Sequence, residues 1–404
     1  MPKIALILLG AGESTRFRDL TQVPTKTNEQ KNAVTKLPKK QWIRLNEIPV
    51  WLKVAKELHS IYPFCDFVLS AMESEIFYMR KYLDFYHLNF KLACGGVTRQ
   101  DSLKNAIALL DSNVEFVFVS DIARCNISQT LCQRILKEVG KYDCVVPFLK
   151  IQDTIAYEDL TLQYLKRECL KIIQTPQLSR LSKLKVAFKK GNFTDESSGI
   201  CAIGGSVGFV EGEQTARKLT FLQDLKSLNL PPPSNQTLIG IGGDIHALTS
   251  GDGIILGGIP ISCPYRLIAH SDGDVCLHAL CDAILGAIGA GDIGEWFPDN
   301  SLTYKGADSK QLLAKVVNFA YSVGYSFKQA DLTIFAQKPK ISPFKSAMES
   351  QIATLLGIPN FKVNVKATTT EKLGFIGREE GIFVQASVVL GYFNWKNLFE
   401  KEDL

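Results

Sequence analysis

The sequence predicts two folded domains in series: an α/β domain on a parallel sheet, then an α+β domain. Three observations predict it. Before residue 150, short apolar runs alternate with segments whose apolar residues recur at helical spacing. Pro231-Pro232-Pro233 then interrupts the chain, and three consecutive prolines continue neither a helix nor a central strand. Beyond them, Gly-punctuated strands precede a long apolar helix, and the later strands fall outside strict βαβ order.

Each element follows from its residues. The apolar runs at 4–9, 66–70, 115–120 and 143–148 are read as strands, and 50–61, 73–86, 101–110 and 128–139 as helices. Such alternation places crossover helices against a parallel sheet. Segment 149–174 is more polar and breaks the rhythm, as an arm leaving the sheet would. The proline run favours an extended spacer. The domains are therefore taken as 1–230 and 238–404, with a linker at 231–237. In the second domain, short strands are expected over 239–262, helices over 273–289, 309–322 and 343–356, and strands at 329–337, 361–367 and 381–391.

Composition narrows the function. The 404 residues are 46% hydrophobic and 22% charged, with a formal charge of +5, a balance suited to globular domains. No basic stripe stands out, so nucleic acid is not an expected partner. The first apolar run is too short to cross a bilayer. No transmembrane segment is visible, and the cytoplasm is the expected location. The ten cysteines lack the two-residue gap of a zinc knuckle or redox pair. They are read as buried, reduced thiols.

In the first domain, the first strand runs into Gly10-Ala11-Gly12-Glu13-Ser14-Thr15-Arg16. Glycines let backbone amides approach phosphate oxygens closely. No Gly-Lys-Ser/Thr follows, so this is not a P-loop, and Thr15 stands where a dinucleotide fingerprint needs its third glycine. Arg16 favours a nucleoside triphosphate. Lys39-Lys40-Gln41-Trp42, Gly95-Gly96-Val97-Thr98-Arg99-Gln100-Asp101-Ser102 and Ser120-Asp121-Ile122-Ala123-Arg124 mark further ligand-binding loops, since ligands of parallel sheets bind beyond the strands' carboxyl ends. These residues alone leave open a sugar-phosphate nucleotidyltransferase of another kind, or an inert docking module.

In the second domain, three of the five histidines, His246, His270 and His278, fall close together among carboxylates. Asp244 and His246 share one side of an extended segment. Asp274, His278 and Asp282 share one helix face. Asp244, His246 and His278 could supply three ligands and leave a fourth position open, as in catalytic zinc sites. Asp282 could orient a ligand from behind.

The first domain resembles the 2-C-methyl-D-erythritol 4-phosphate cytidylyltransferase family. The resemblance rests on Gly10 to Arg16, Lys40-Gln41, Gly95-Gly96 with Arg99 and Ser102, and Asp121 with Ala123-Arg124. Asp153-Thr154, Thr175-Pro176-Gln177, Thr194-Asp195-Glu196 and Lys218-Leu219-Thr220 extend it. It implies a Rossmann-like nucleotidyltransferase fold with a protruding arm. It also implies attack of methylerythritol phosphate on the α-phosphate of CTP, with loss of pyrophosphate and help from Mg²⁺ or Mn²⁺. Arg16, Lys40 and Lys218 would be catalytic. Gly10, Ala11, Gly12, Gly96 and Ser102 would hold the nucleotide. Arg99, Asp121, Arg124, Thr154 and Arg167 would hold substrate, with the arm reaching a second subunit. Ser120, Cys125 and Val97 depart from the family's usual His, Pro and acidic residue.

The second domain resembles the 2-C-methyl-D-erythritol 2,4-cyclodiphosphate synthase family over about 238–390. The resemblance rests on 239–246, 270–275, Gly291-Asp292-Ile293-Gly294, Phe297-Pro298-Asp299, 305–309 and 366–372. It implies closure of a CDP-methylerythritol phosphate to a cyclic diphosphate, releasing CMP. Zn²⁺ would sit on Asp244, His246 and His278, with Mg²⁺ or Mn²⁺ near Glu371. His270 and Glu371 would be catalytic. Ser271, Asp292, Gly294, Asp299, Thr368, Thr369, Phe375 and Arg378 would bind substrate, in trimers with sites between subunits. Dimeric contacts of the first domain and trimeric contacts of the second would together be satisfied by a hexamer.

Overall fold

The computed structural model describes residues 2–19, 37–158, 161–269, 271–298 and 306–399. The chain divides into two compact units, with the change-over between Pro231 and Pro232.

The first unit is an eight-stranded sheet. Its strands are β1 (Ile4–Leu9), β2 (Asp66–Ala71), β3 (Lys91–Cys94), β4 (Phe116–Asp121), β5 (Cys144–Lys150), β8 (Lys171–Ile173), β9 (Gln177–Arg180) and β10 (Val207–Glu211). A separate hairpin, β6 (Ile155–Glu158) with β7 (Leu162–Leu165), lies between β5 and β8. The sheet order is β8-β5-β9-β4-β1-β2-β3, and β10 pairs with β5. Strands β4, β1, β2 and β3 run parallel. These four form the parallel sheet expected from the alternating pattern, and β9 joins it antiparallel to β4 and β5. The sequence of β9, Gln-Leu-Ser-Arg, carries too few apolar residues to read as a strand, yet Gln177 and Ser179 are buried.

The connecting helices pack apolar faces on this sheet. They are α1 (Val50–His59), α2 (Glu73–Phe85), α3 (Arg99–Ala108), α4 (Gln129–Leu136), α5 (Leu181–Lys190) and α6 (Glu196–Ala202). β1 is buried along its whole length, which explains its unbroken apolar run. The arm segment departs from the sheet as the hairpin β6–β7, with Tyr157, Leu162 and Tyr164 exposed.

The second unit has a five-stranded sheet. Its strands are β11 (Thr237–Ser250), β14 (Tyr265–Leu267), β15 (Tyr325–Phe335), β16 (Val363–Thr368) and β17 (Gly381–Tyr392), in the order β14-β11-β17-β15-β16. A hairpin, β12 (Ile254–Leu256) with β13 (Ile259–Ile261), stands beside it. The short strands expected over 239–262 are instead led by one 14-residue strand, β11. Its glycines are not turns. A methyl on Gly240 would come within 1.9 Å of the Ala283 carbonyl, and one on Gly242 within 2.2 Å of the Ala279 carbonyl. They let helix α7 (Val275–Ile288) lie directly on the strand. Helices α8 (Ser309–Ser322) and α9 (Lys345–Leu356) complete that face.

All ten cysteines are free. Five are buried, but Cys65, Cys94, Cys169 and Cys201 are exposed, so the expectation of burial holds only in part. Among the described residues, no helix is long and apolar enough to cross a membrane.

Candidate active sites

The carboxyl ends of β1, β3 and β4 open onto a cavity of about 670 Å³ in the first unit. Gly10, Ala11, Gly12, Arg16, Lys40, Gly96, Arg99, Ser102, Asp121 and Lys218 all line it. The glycine loop is tied to the Lys40 turn. Ser14, held at φ 60°, donates to Gln41 Oε1 at 3.0 Å and accepts the Lys40 backbone N–H at 3.1 Å. Gln41 donates to the Gly12 carbonyl at 3.2 Å. Sequence reading singled out neither Ser14 nor Gln41 as a brace.

On the far wall, Gly96 approaches the start of α3 so closely that a methyl there would meet Asp101 Cβ at 2.3 Å. Thr98 caps α3 in a reciprocal capping box with Asp101. Ser102 accepts the Gly96 N–H and donates to the Thr98 carbonyl, both at 3.0 Å, so its hydroxyl is used within the loop.

Charge is distributed unevenly in this cavity. Asp121 accepts from Arg99 Nε at 3.1 Å and from Lys218 Nζ at 2.8 Å. Burial would raise its carboxyl, but Arg99, Lys218 and Arg124 hold it well below the usual carboxylate range. The rest of the Arg99 guanidinium forks onto the fully buried Glu196, at 2.6 and 3.3 Å. Arg16 and Lys40, by contrast, have no ion pair among the described residues. Burial, reinforced by the cations of Lys218 and Arg16, lowers the Lys40 ammonium to about 8. Unneutralised cations beside a glycine loop are suited to a polyphosphate.

Three further residues lie off this cavity. Arg124 is buried and braces the core, donating to Thr175 Oγ1 at 2.8 Å and to the Ala216 carbonyl at 2.7 Å. Thr154 and Arg167 lie in the arm segment, where Arg167 donates to the Gln152 carbonyl at 2.7 Å.

In the second unit, β11 and α7 build a cluster. Gly240, Gly242, Asp244 and His246 alternate along β11 and share the side covered by α7. Where the glycines end, the N-terminal turn of α7 brings in His278. Asp244 Oδ2 lies 3.0 Å from His246 Nε2 and 3.2 Å from His278 Nδ1, and the two imidazole nitrogens are 3.3 Å apart. Ligand atoms around a tetrahedral ion with bonds of about 2.0–2.1 Å would themselves be about 3.3 Å apart. The carboxylate and two imidazoles therefore fit a metal ion. Burial would raise the Asp244 carboxyl, but its hydrogen bonds to both histidines hold it well below the carboxylate range. His246 is raised, because Asp244 outweighs the burial that would lower it.

The two flanking carboxylates of α7 have other partners. Asp274 is fully buried and caps α7, accepting from the N–H groups of Gly257, Gly258, Cys276 and Leu277. Asp282 accepts the Ile293 N–H at 2.7 Å. It steadies the short turn Ile293–Trp296 rather than His278, which corrects the expectation of a ligand-orienting role. The His278 Nε2 instead faces Ser309 Oγ at 2.9 Å and Ser271 Oγ at 3.2 Å.

The remaining predicted residues are spread out. Asp292 caps the turn that contains Gly294. Thr368 ends β16, Thr369 donates to Glu371 at 3.2 Å, and Arg378 forks onto Glu380 at 2.8 and 3.0 Å. Phe375 is partly exposed in the turn Gly374–Gly377. His270 and Asp299 lie outside the described residues.

Comparison with known proteins follows the two units. Residues 31–230 match the family described as 2-C-methyl-D-erythritol 4-phosphate cytidylyltransferase, and residues 237–391 match the YgbB family. A protein of Campylobacter fetus called bifunctional enzyme IspD/IspF is 50% identical over 399 residues, spanning 98% of this chain and 100% of that protein. The chain belongs to the bifunctional IspD/IspF family. A namesake from Wolinella succinogenes is 43% identical over 396 residues, 98% of each chain. The solved structure of the bifunctional IspDF from Campylobacter jejuni superposes with a TM-score of 0.82 at 44% identity, covering 98% of this chain and 100% of that one. The family makes the chain an enzyme of two activities, a cytidylyltransferase and a cyclodiphosphate synthase. An unrelated nucleotidyltransferase or an inert first module is not favoured.

Proposed function

We propose that the two activities divide between the two units, each using the residues gathered there. In the first, the phosphate of methylerythritol phosphate attacks the α-phosphate of CTP in line, and pyrophosphate leaves. Positioning and charge neutralisation carry such a step. Arg16 and Lys40 are the groups for the triphosphate, because they are the cations of the cavity without an ion-pair partner among the described residues. Asp121 and Lys218 hold the second substrate, and Arg99 keeps Asp121 oriented. Mg²⁺ or Mn²⁺ bound with the triphosphate would supply further charge neutralisation. Thr154 and Arg167 serve a neighbouring subunit from the arm.

In the second unit, the 2-phosphate of CDP-methylerythritol 2-phosphate attacks the β-phosphate and CMP leaves. The Asp244–His246–His278 cluster is the observation that carries this assignment. Zn²⁺ bound there would supply Lewis acidity toward the β-phosphate. Ser271 stands beside the cluster and orients the attacking phosphate with His270. Asp292 and Gly294 hold the cytidine ribose, Asp299 serves as a further substrate contact, and Thr368, Thr369 and Glu371 hold the diphosphate, where Mg²⁺ or Mn²⁺ would neutralise charge. Phe375 and Arg378 lie toward a neighbouring subunit.

Exposed apolar surface supports the proposed assembly. Ile239, Ile241 and Ile245 line the side of β11 away from α7, and each is at least half exposed. A trimer of the second unit would bury that side, while the arms pair the first units. A hexamer with both axes closes the two contacts. Phosphorus NMR with each substrate, with and without chelator, tests the chemistry. Conversion of CDP-methylerythritol 2-phosphate that survives complete removal of zinc would refute the second assignment.

A further inference from the structure

His278 turns its two ring nitrogens to different surroundings. Nδ1 faces Asp244 and His246, at 3.2 and 3.3 Å. Nε2 faces Ser309 Oγ at 2.9 Å and Ser271 Oγ at 3.2 Å. Ser309 is fully buried in the first turn of α8. Its hydroxyl donates to Asp272 Oδ1, and its backbone N–H donates to Asp272 Oδ2 at 3.1 Å. Asp272 is itself fixed, since its N–H donates to the Ala307 carbonyl at 3.2 Å and its carboxylate accepts the Asp274 N–H at 3.3 Å. Ser271 Oγ already accepts the Gly273 N–H at 3.1 Å.

Counting protons decides the direction of this chain. A hydroxyl has one proton to give, and an ionised carboxylate only accepts. The Ser309 proton is committed to Asp272, so the lone pair of Ser309 receives a hydrogen from Nε2. The ring therefore carries a hydrogen on Nε2, and Nδ1, which faces Asp244 and His246, is the nitrogen left for a metal. A metal-ligating histidine is commonly oriented in this way through its other nitrogen.

We propose that Ser309 and Asp272 are positioning residues, which lock His278 in the Nε2–H tautomer and deliver Nδ1 as a metal donor. This rests on the zinc reading above. On α7 itself, Asp274 and Asp282 accept from backbone N–H groups.

Two variants of the full-length protein test it. Ser309→Ala removes the acceptor. Asp272→Ala removes the acceptor of the serine proton, which can then turn toward Nε2 and leave the ring hydrogen on Nδ1. Zinc affinity, read by competition with a chromophoric chelator, is expected to fall roughly 10- to 100-fold in both. Histidine ring ¹⁵N NMR of metal-free protein is expected to show a hydrogen on Nε2 of His278 in the parent and none there in Asp272→Ala. If a variant does not fold, the parent's ring spectrum still decides. Unchanged zinc affinity in the variants, or a bare Nε2 in the parent, overturns the proposal. A parent that takes up no zinc, yet shows a hydrogen on Nε2 and loses it in Asp272→Ala, supports the relay and overturns the zinc reading instead.

Discussion

Lys40 shows how one side chain's setting becomes chemistry. Burial beside Lys218 and Arg16 lowers its ammonium to about 8, and Asp121 opposes that shift. The cation is the form that meets a triphosphate, and it is lost as pH rises through the lowered value. kcat/KM for CTP reports the free enzyme, so it should fall above a pH of about 8. Lys40→Arg, which stays charged, should move that falling limb upward, and Lys40→Ala should lower kcat by about 100-fold or more. A flat profile through pH 9 in the parent would remove Lys40 from the role. Arg99 and Arg124 teach the opposite lesson. Both stand among the expected nucleotide- or substrate-binding residues; Arg99 is divided between Glu196 and Asp121, and Arg124 is bound to Thr175 and Ala216. Residue type advertises a cation, but only the fold shows whether its partners are already present.

At the scale of elements, the contact of β11 with α7 sets the candidate metal cluster. Gly242→Ala would force a methyl to 2.2 Å from the Ala279 carbonyl, a backbone atom that cannot yield locally. The helix must lift, at a cost of about 3 kcal/mol, and His278 moves with it. Zinc binding and CMP release should both be lost, while CTP-dependent pyrophosphate release persists. Crystals of the variant showing α7 unmoved would contradict this. Asp274→Ala attacks the same helix from its end. It removes an N-cap, worth about 1 kcal/mol, and strands the buried Gly257 N–H, at about 1–3 kcal/mol, together with the part-buried Gly258 N–H. Calorimetry should show the second unit's transition at clearly lower temperature, with the first unit's unchanged.

For the whole molecule, separability is the main expectation. Asp244→Ala should abolish zinc content and CMP release yet spare pyrophosphate release, and Arg16→Ala should do the reverse. Loss of both steps from either change, in folded protein, would contradict two independent sites. Light scattering checks the assembly. A charge placed on the exposed side of β11, as in Ile241→Asp, should break the proposed trimeric contact and leave arm-paired dimers. A variant of parental mass would argue that this side does not carry the contact.

The sequence by itself determined most elements, the glycine loop and the metal-ligand candidates. Their signals are local: periodicity, backbone permissiveness, and ligand types spaced two residues apart on a strand. Helix 309–322 and strand 4–9 were legible to the residue because each has one strongly patterned face or is buried throughout. Tertiary structure decided the rest. It placed β9 antiparallel in a sheet that reads as parallel, made the β11 glycines a seat for a helix, and assigned the support of His278 to Ser309 and Asp272 instead of Asp282. Strand direction, close backbone approach and hydrogen-bond partners depend on groups brought together from distant parts of the chain. No pattern within one segment contains them.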